Sequence, residues 1–115
     1  MDALFDHAGQ AYAWLDRPSG RIMDLRGRHI AFVEADSVYN WRGRHVGWWH
    51  GDHIRNQSGK LAVFVRSAAG LKVATPSLKT PPPKPQPAVT PSKPGLAHRP
   101  AKPTAMEGWA AVVPF

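Results

Sequence analysis

Four glycines, Gly9, Gly27, Gly43 and Gly59, stand 18, 16 and 16 residues apart, and the residues around them repeat with them. Three positions before each glycine stands Asp6, Asp24, Asn40 or Asn56, and one position after stands Gln10, Arg28, Arg44 or Lys60. Five positions before are Leu4, Ile22, Val38 and Ile54; five positions after are Trp14, Phe32, Trp48 and Phe64. Chance does not align five columns four times, so the first part of the chain is a repeat array.

The repeating unit is a β-hairpin. Asp or Asn at the start of a turn caps the turn amides with its side-chain oxygen, and glycine three positions on takes the left-handed conformation that a Cβ resists. Pairing the first residue with the fifth sets Leu4 opposite Tyr12, Ile22 opposite Ile30, Val38 opposite Val46 and Ile54 opposite Ala62. Side chains alternate along a strand, so Trp14, Phe32, Trp48 and Phe64 are expected on that same face, forming a shared core. The other face, with Phe5, Met23, Tyr39 and Arg55 and the small column Ala13, Ala31, Gly47 and Val63, is mixed and expected to be partly covered. A lone hairpin is marginal in water, so four must converge on one centre. A tight turn at Gly51-Asp52 sets Trp49 opposite Ile54, the wrong face for a flat meander. The expected fold is all-β: about eight short strands as four hairpins in a pseudo-fourfold arrangement, as separate petals or, alternatively, as a strongly coiled closed barrel.

The array ends near residue 70. Residues 71–105 hold ten of the chain's twelve prolines and form no helix or interior strand, since proline lacks the donor and locks φ. An extended, polyproline-like linker is expected there, and Pro81-Pro82-Pro83-Lys84-Pro85, though it fits the PxxP pattern, reads as spacer. Residues 106–115 turn apolar again, with Trp109, Val112, Val113 and Phe115. Exposure of such a cluster invites aggregation, so Trp109 and Phe115 are expected to anchor this segment on residues 1–70, on the same chain or on a second copy as a tail-swapped dimer. The protein is thus expected as a monomer or such a homodimer.

The formal net charge of +7 is unevenly placed. Residues 1–70 carry nine Lys and Arg against seven Asp and Glu, while residues 71–115 carry six against Glu107 alone. Most of the excess thus lies on the proline-rich stretch, where lysines keep a solvated linker extended, which weakens a nucleic-acid reading drawn from charge alone. With no cysteine there is no disulfide framework, thiolate metal site or cysteine nucleophile. No apolar run approaches the ~18 residues of a membrane span, and no signal peptide is evident, so a cytoplasmic location is expected.

The segments Leu4-Phe-Asp-His-Ala-Gly9, Val38-Tyr-Asn-Trp-Arg-Gly-Arg-His-Val-Gly-Trp-Trp49 and Ile54-Arg-Asn-Gln-Ser-Gly59, followed by a proline-rich tail ending near Trp109, resemble the bacterial 4-fold β-flower proteins. The resemblance covers residues 2–67 and the character of the tail. It implies four hairpin petals in pseudo-fourfold arrangement and no assigned activity. The first repeat departs by being two residues longer and by carrying Gln10 where the other repeats are basic.

No motif carries catalysis. Asp6 and Asp24 could be posed as an acid–base pair, but capping accounts for them and two repeats have Asn in their place, which does not titrate. Ser19, Ser37 and Ser58 lack a triad context, and the glycines sit between strands rather than before a helix, which excludes a phosphate loop. His29 and His45 share a column, yet no third ligand accompanies them, so they read as half-buried packing residues and neither a metal nor a cofactor is implied. The one cluster with binding character is Arg26-Gly-Arg28-His29 with its echo Arg42-Gly-Arg44-His45 and Trp41 for stacking. The expected function is that of a small non-enzymatic binding or adaptor module for an unidentified protein or ligand. The second reading is electrostatic binding of nucleic acid or an acidic partner through the arginine tips and basic tail.

Overall fold

The computed structural model describes residues 1–115. Eight strands follow one another: β1 (Asp2–Phe5), β2 (Ala11–Asp16), β3 (Arg21–Met23), β4 (His29–Glu34), β5 (Ser37–Asn40), β6 (His45–Trp49), β7 (His53–Asn56) and β8 (Leu61–Phe64). Each pairs antiparallel with the next, and Phe5 pairs with Phe64 to close the ring between β1 and β8. The fold is therefore a closed all-β barrel of four hairpins.

The turns form as their residues dictate. Asp24 Oδ1 accepts hydrogen bonds from the Arg26 and Arg28 amides, both at 2.9 Å, and Asp6, Asn40 and Asn56 do the same in their own turns. Gly27 has φ of 91° and Gly43 of 81°, the left-handed region a side chain disfavours.

Beyond the turn the register differs from the simple expectation. Phe5 pairs with Ala11 but Leu4 with Ala13, leaving Tyr12 as a bulge. The same slip leaves out Ile30, Val46 and Ala62 in the other three hairpins. A bulged residue re-aims every side chain past it. Hence Ala13, Ala31 and Val63 join Leu4, Ile22, Val38 and Ile54 in the central core, with Leu15 and Val65. The column Trp14, Phe32, Trp48 and Phe64 is buried as well, but on the outer face. Its rings pack on local partners, Phe32 on Tyr39 and Trp41, Trp48 on His45, Phe64 on Phe5, rather than around one centre. The expectation of a converging aromatic core is corrected. At Gly47 on β6 even a Cβ would run into the Arg55 carbonyl of β7, so that position of the column admits only glycine. The bulges also resolve the conflict over Trp49, which does pair with Ile54 while the sheet remains continuous.

Residues 71–105 lie along the barrel. The Lys79, Ala88, Ala97 and Met106 amides donate to the carbonyls of Gly9, Gly27, Gly43 and Gly59 at 2.8–3.0 Å, one contact per hairpin. These contacts come every nine residues, and so do Pro76, Pro85, Pro94 and Pro103, each partly buried among exposed neighbours. The extended stretch is thus a belt with its own repeat, matched to the petals. Its cations are not simply solvated. Lys93 pairs with Glu34 and lies 5.0 Å from the Phe32 ring, while Arg99 pairs with Asp36 and lies 5.2 Å from Trp48. These residues roof the outward aromatic column.

Candidate functional site

The petal tips place Arg26, Arg28, Arg42 and Arg44 outward, because the turn geometry buries the glycine between each pair and leaves its flanking side chains exposed. Among these four, a single contact to a carboxylate exists, Arg28 to Asp24 at 3.9 Å. Four other cations are committed elsewhere, Arg17 to Asp2, Lys93 to Glu34, Arg99 and Lys102 to Asp36, whereas Lys60, Lys72 and Lys84 are exposed single ammonium groups. At the third tip Arg42 and Arg44 border a shallow depression of about 380 Å³ whose other wall is the belt residues Gly95, Leu96 and Ala97.

The histidines and Trp41 stand beneath the tips. His45 is 3% exposed, wedged between Tyr39 at 5.2 Å and Trp48 at 4.6 Å, with Gln57 on its Nδ1. Burial, reinforced by Arg99, lowers its pKa, so it is neutral and structural. His29 is half-buried, with Nε2 2.9 Å from the Ala88 carbonyl and its ring 6.2 Å from Trp41. Trp41 itself packs 4.7 Å from Phe32, which leaves only part of its ring for stacking on a ligand. His29 and His45 thus face different partners, and no three His, Asp or Glu side chains gather into a metal-holding group.

Two residues that the repeat pattern alone passed over organise this face. Arg55 is 2% exposed and occupies the column otherwise filled by Phe5, Met23 and Tyr39. Its guanidinium donates to the carbonyls of Leu71, Gly59 and Met106 at 2.8–2.9 Å and to His53 Nε2 at 3.1 Å. Leu71 opens the belt and Met106 ends it, so one side chain clasps both ends. His53 in turn donates from Nδ1 to Asp52 at 2.5 Å. Burial first, then the nearby Arg55 charge, lowers the His53 pKa against the pull of Asp52, so the imidazole is neutral with its lone pair on Arg55. A carboxylate–imidazole pair of this kind orients a nucleophile in hydrolases, but here it orients a guanidinium, which attacks nothing. The second residue, Arg21, stands at the start of β3 and lines a cavity under the belt. A lone charge in an apolar column was the available signal for Arg55, and proline spacing was the signal for the belt.

The anchor segment docks on its own chain. Trp109 forms a parallel bridge with Leu61, its ring 5.7 Å from Phe64 and 6.3 Å from His7. Phe115 packs edge-on to Tyr12 at 6.0 Å, and the Tyr12 hydroxyl donates to the Phe115 carbonyl at 2.5 Å. Both anchors remain partly exposed.

Four tip-capped hairpins, a ring of eight strands and a belt that returns to its start describe one unit, and a single family description, 4-fold beta flower protein, matches residues 2–113. The chain belongs to this family. The match takes in the belt as well as the barrel, so the β-flower here is petals plus girdle. No curated protein and no solved structure matches the chain.

Proposed function

We propose that this β-flower is a non-enzymatic binding module that takes an acidic partner on the arginine tips of its second and third petals. The observation that carries the reading is the contrast among its cations. Arg26, Arg28, Arg42 and Arg44 are exposed in pairs on two turns and hold one loose carboxylate contact between them, whereas Arg17, Lys93, Arg99 and Lys102 are engaged within the fold and the exposed lysines Lys60, Lys72 and Lys84 stand singly. Arginine presents a planar fork of donors suited to carboxylate and phosphate oxygens, and rigid turns hold these forks at fixed positions. Asp6 and Asp24 cap turns, His45 is packed between rings and His53 orients Arg55, which supports binding rather than catalysis. The belt's Gly95–Ala97 stretch beside Arg42 and Arg44 gives the partner a backbone edge to lie against.

The test is binding of a labelled single-stranded oligonucleotide and of a polyglutamate peptide to the full chain across a salt series. The variant is R26Q/R28Q/R42Q/R44Q. Binding through the tips weakens steeply as salt rises, with a slope of about −0.7 per phosphate contact for a single strand, and the variant flattens that slope. Oligonucleotide bound with polyglutamate ignored identifies a phosphate partner, and the reverse identifies an acidic protein. Equal affinity of variant and wild type for both probes would sink the proposal.

A further inference from the structure

Arg55 shows how this fold satisfies a buried guanidinium, with three carbonyls and an imidazole. Arg21 has nothing comparable. It is half-buried, its Nη1 is shut from solvent without a partner, and its guanidinium makes neither a hydrogen bond nor an ion pair. Its neighbour is the face of Trp41, 6.0 Å away. Among the side chains with a buried, unpartnered polar atom, Arg21 alone carries a permanent charge. Beside it stands His29. The Ala88 carbonyl only accepts, so His29 Nε2 holds the proton, and the buried, unpartnered Nδ1 presents a lone pair. Trp41 backs both, 6.0 Å from Arg21 and 6.2 Å from His29, which makes its indole a reporter on the pair. A donor atom shut from solvent without an acceptor is costly, and native folds leave few such groups without a reason.

Arg21 and His29 line the same cavity, about 420 Å³, between the second petal and the belt. Met23 and Pro87 give it apolar walls, Ser19 and Thr90 give it hydroxyls, and Asp16 lines it with a carboxylate held by Ser19 at 2.5 Å. We infer that this cavity binds a small organic acid bearing a hydrogen-bond donor next to its carboxylate, a hydroxy or amino acid with a short aliphatic body. The carboxylate supplies the counter-charge that Arg21 lacks. The neighbouring hydroxyl or ammonium group supplies the proton that His29 Nδ1 lacks, and the aliphatic body lies on Met23 and Pro87. The volume falls in the range of metabolite pockets rather than that of a single ion. Because Pro87 and Thr90 belong to the belt, the ligand bridges belt and barrel. This site is separate from the tip arginines, which do not line the cavity.

The experiment titrates the nitrogen-labelled full chain with norleucine, α-hydroxyhexanoate, hexanoate and hexanol, following the indole signals of its five tryptophans. Norleucine and α-hydroxyhexanoate should shift the Trp41 indole saturably, hexanoate should bind more weakly for want of the donor, and hexanol should not bind. Arg21→Gln should weaken binding by about tenfold or more, as the loss of a charge-assisted hydrogen bond predicts, without lowering the melting temperature. Should that variant fail to fold, His29→Gln provides the second test, and it should erase the preference for norleucine and α-hydroxyhexanoate over hexanoate. The tip variant R26Q/R28Q/R42Q/R44Q should bind the acids as wild type does, so that failure here and failure of the tip reading are distinguishable. Shifts that do not saturate, or that persist unchanged in Arg21→Gln, would overturn the inference.

Discussion

Replacing Arg55 by Met keeps most of the buried side-chain volume and removes the clasp. The loss can be worked from its partners. Gly59 O retains the Met106 amide, so it stays satisfied. Leu71 O, Met106 O and His53 Nε2 lose the Arg55 donor, and a buried acceptor left without a partner costs about 1–3 kcal/mol. Set against that, the wild-type guanidinium is itself desolvated, which lowers its pKa, and an apolar side chain escapes that penalty. The expected net loss is about 3–5 kcal/mol, a large share of the stability of a domain this size. Denaturant unfolding of both proteins measures it. Amide exchange at Met106 and Ala110 should accelerate more than exchange at Ile22 or Val38, because the belt ends open before the barrel does. Arg55→Met as stable as wild type, with belt amides equally protected, would mean that the clasp contributes nothing.

Three further outcomes are expected. Gly27→Ala should destabilise by more than the ~1 kcal/mol of an ordinary surface change, because the new Cβ meets both a positive φ and the Gln86 carbonyl of the belt; thermal unfolding checks it. Deleting Lys93–Ala101, one belt repeat, should leave the belt a petal short, so Trp109 no longer reaches Leu61 and its fluorescence becomes that of an exposed indole. Stability should fall as pH drops below about 6.5, the unfolded histidine value, because burial lowers the pKa of His45, His50 (to about 4) and His53 and the unfolded chain takes up protons that the fold refuses. The slope approaches about 1.4 kcal/mol per pH unit for each histidine kept neutral, less where solvent screens it, and a stability flat from pH 7 to 5 would contradict the assignment.

The turns were legible because their chemistry is local: Asp or Asn, then glycine, says where the chain reverses whatever surrounds it. The strand faces were not, because the bulges at Tyr12, Ile30, Val46 and Ala62 carry no residue type of their own. They are set by what fits the centre. Reading period-two alternation straight through them put Trp14 and Phe32 on the core side, whereas the ring of eight strands accepts Ala13 and Ala31 there and sends the rings outward. The candidate site divides in the same way. Arg26, Arg28, Arg42 and Arg44 follow from turn geometry and are exposed as expected, while His45 depends on what packs over it. Arg21 and Arg55, one at the start of β3 and one in an apolar column of β7, differ in their partners: Arg55 has His53 and Gly59 of its own hairpin and the two belt ends, Arg21 has none of these, and no strand pattern reports it.

The belt's length explains why the tail is rich in proline rather than in flexible residues. The molecule is a disc with extents of 37 × 36 × 22 Å. A circle about 37 Å across has a circumference of about 115 Å, or about 29 Å per petal. Nine residues in the polyproline conformation, at ~3.1 Å each, span about 28 Å. One belt repeat therefore advances one petal only if the chain is held near full polyproline extension. A flexible chain of nine residues spans about 17 Å on average and would have to be stretched at an entropic cost in every quarter. Proline removes that cost by restricting the unfolded chain to the same conformation. Its missing amide is harmless here, because each repeat needs only one backbone donor for the barrel, at Lys79, Ala88, Ala97 or Met106, and none of these is proline. Pro76, Pro85 and Pro94 instead set their rings beside Gly9, Gly27 and Gly43, which have no Cβ to obstruct them, while at Gly59 the Met106 side chain takes that place. The glycine column that turns the hairpins leaves the space of a Cβ to the carbonyl that follows each proline of the belt column, at Ser77, Gln86, Gly95 and Thr104, and that contact is made four times.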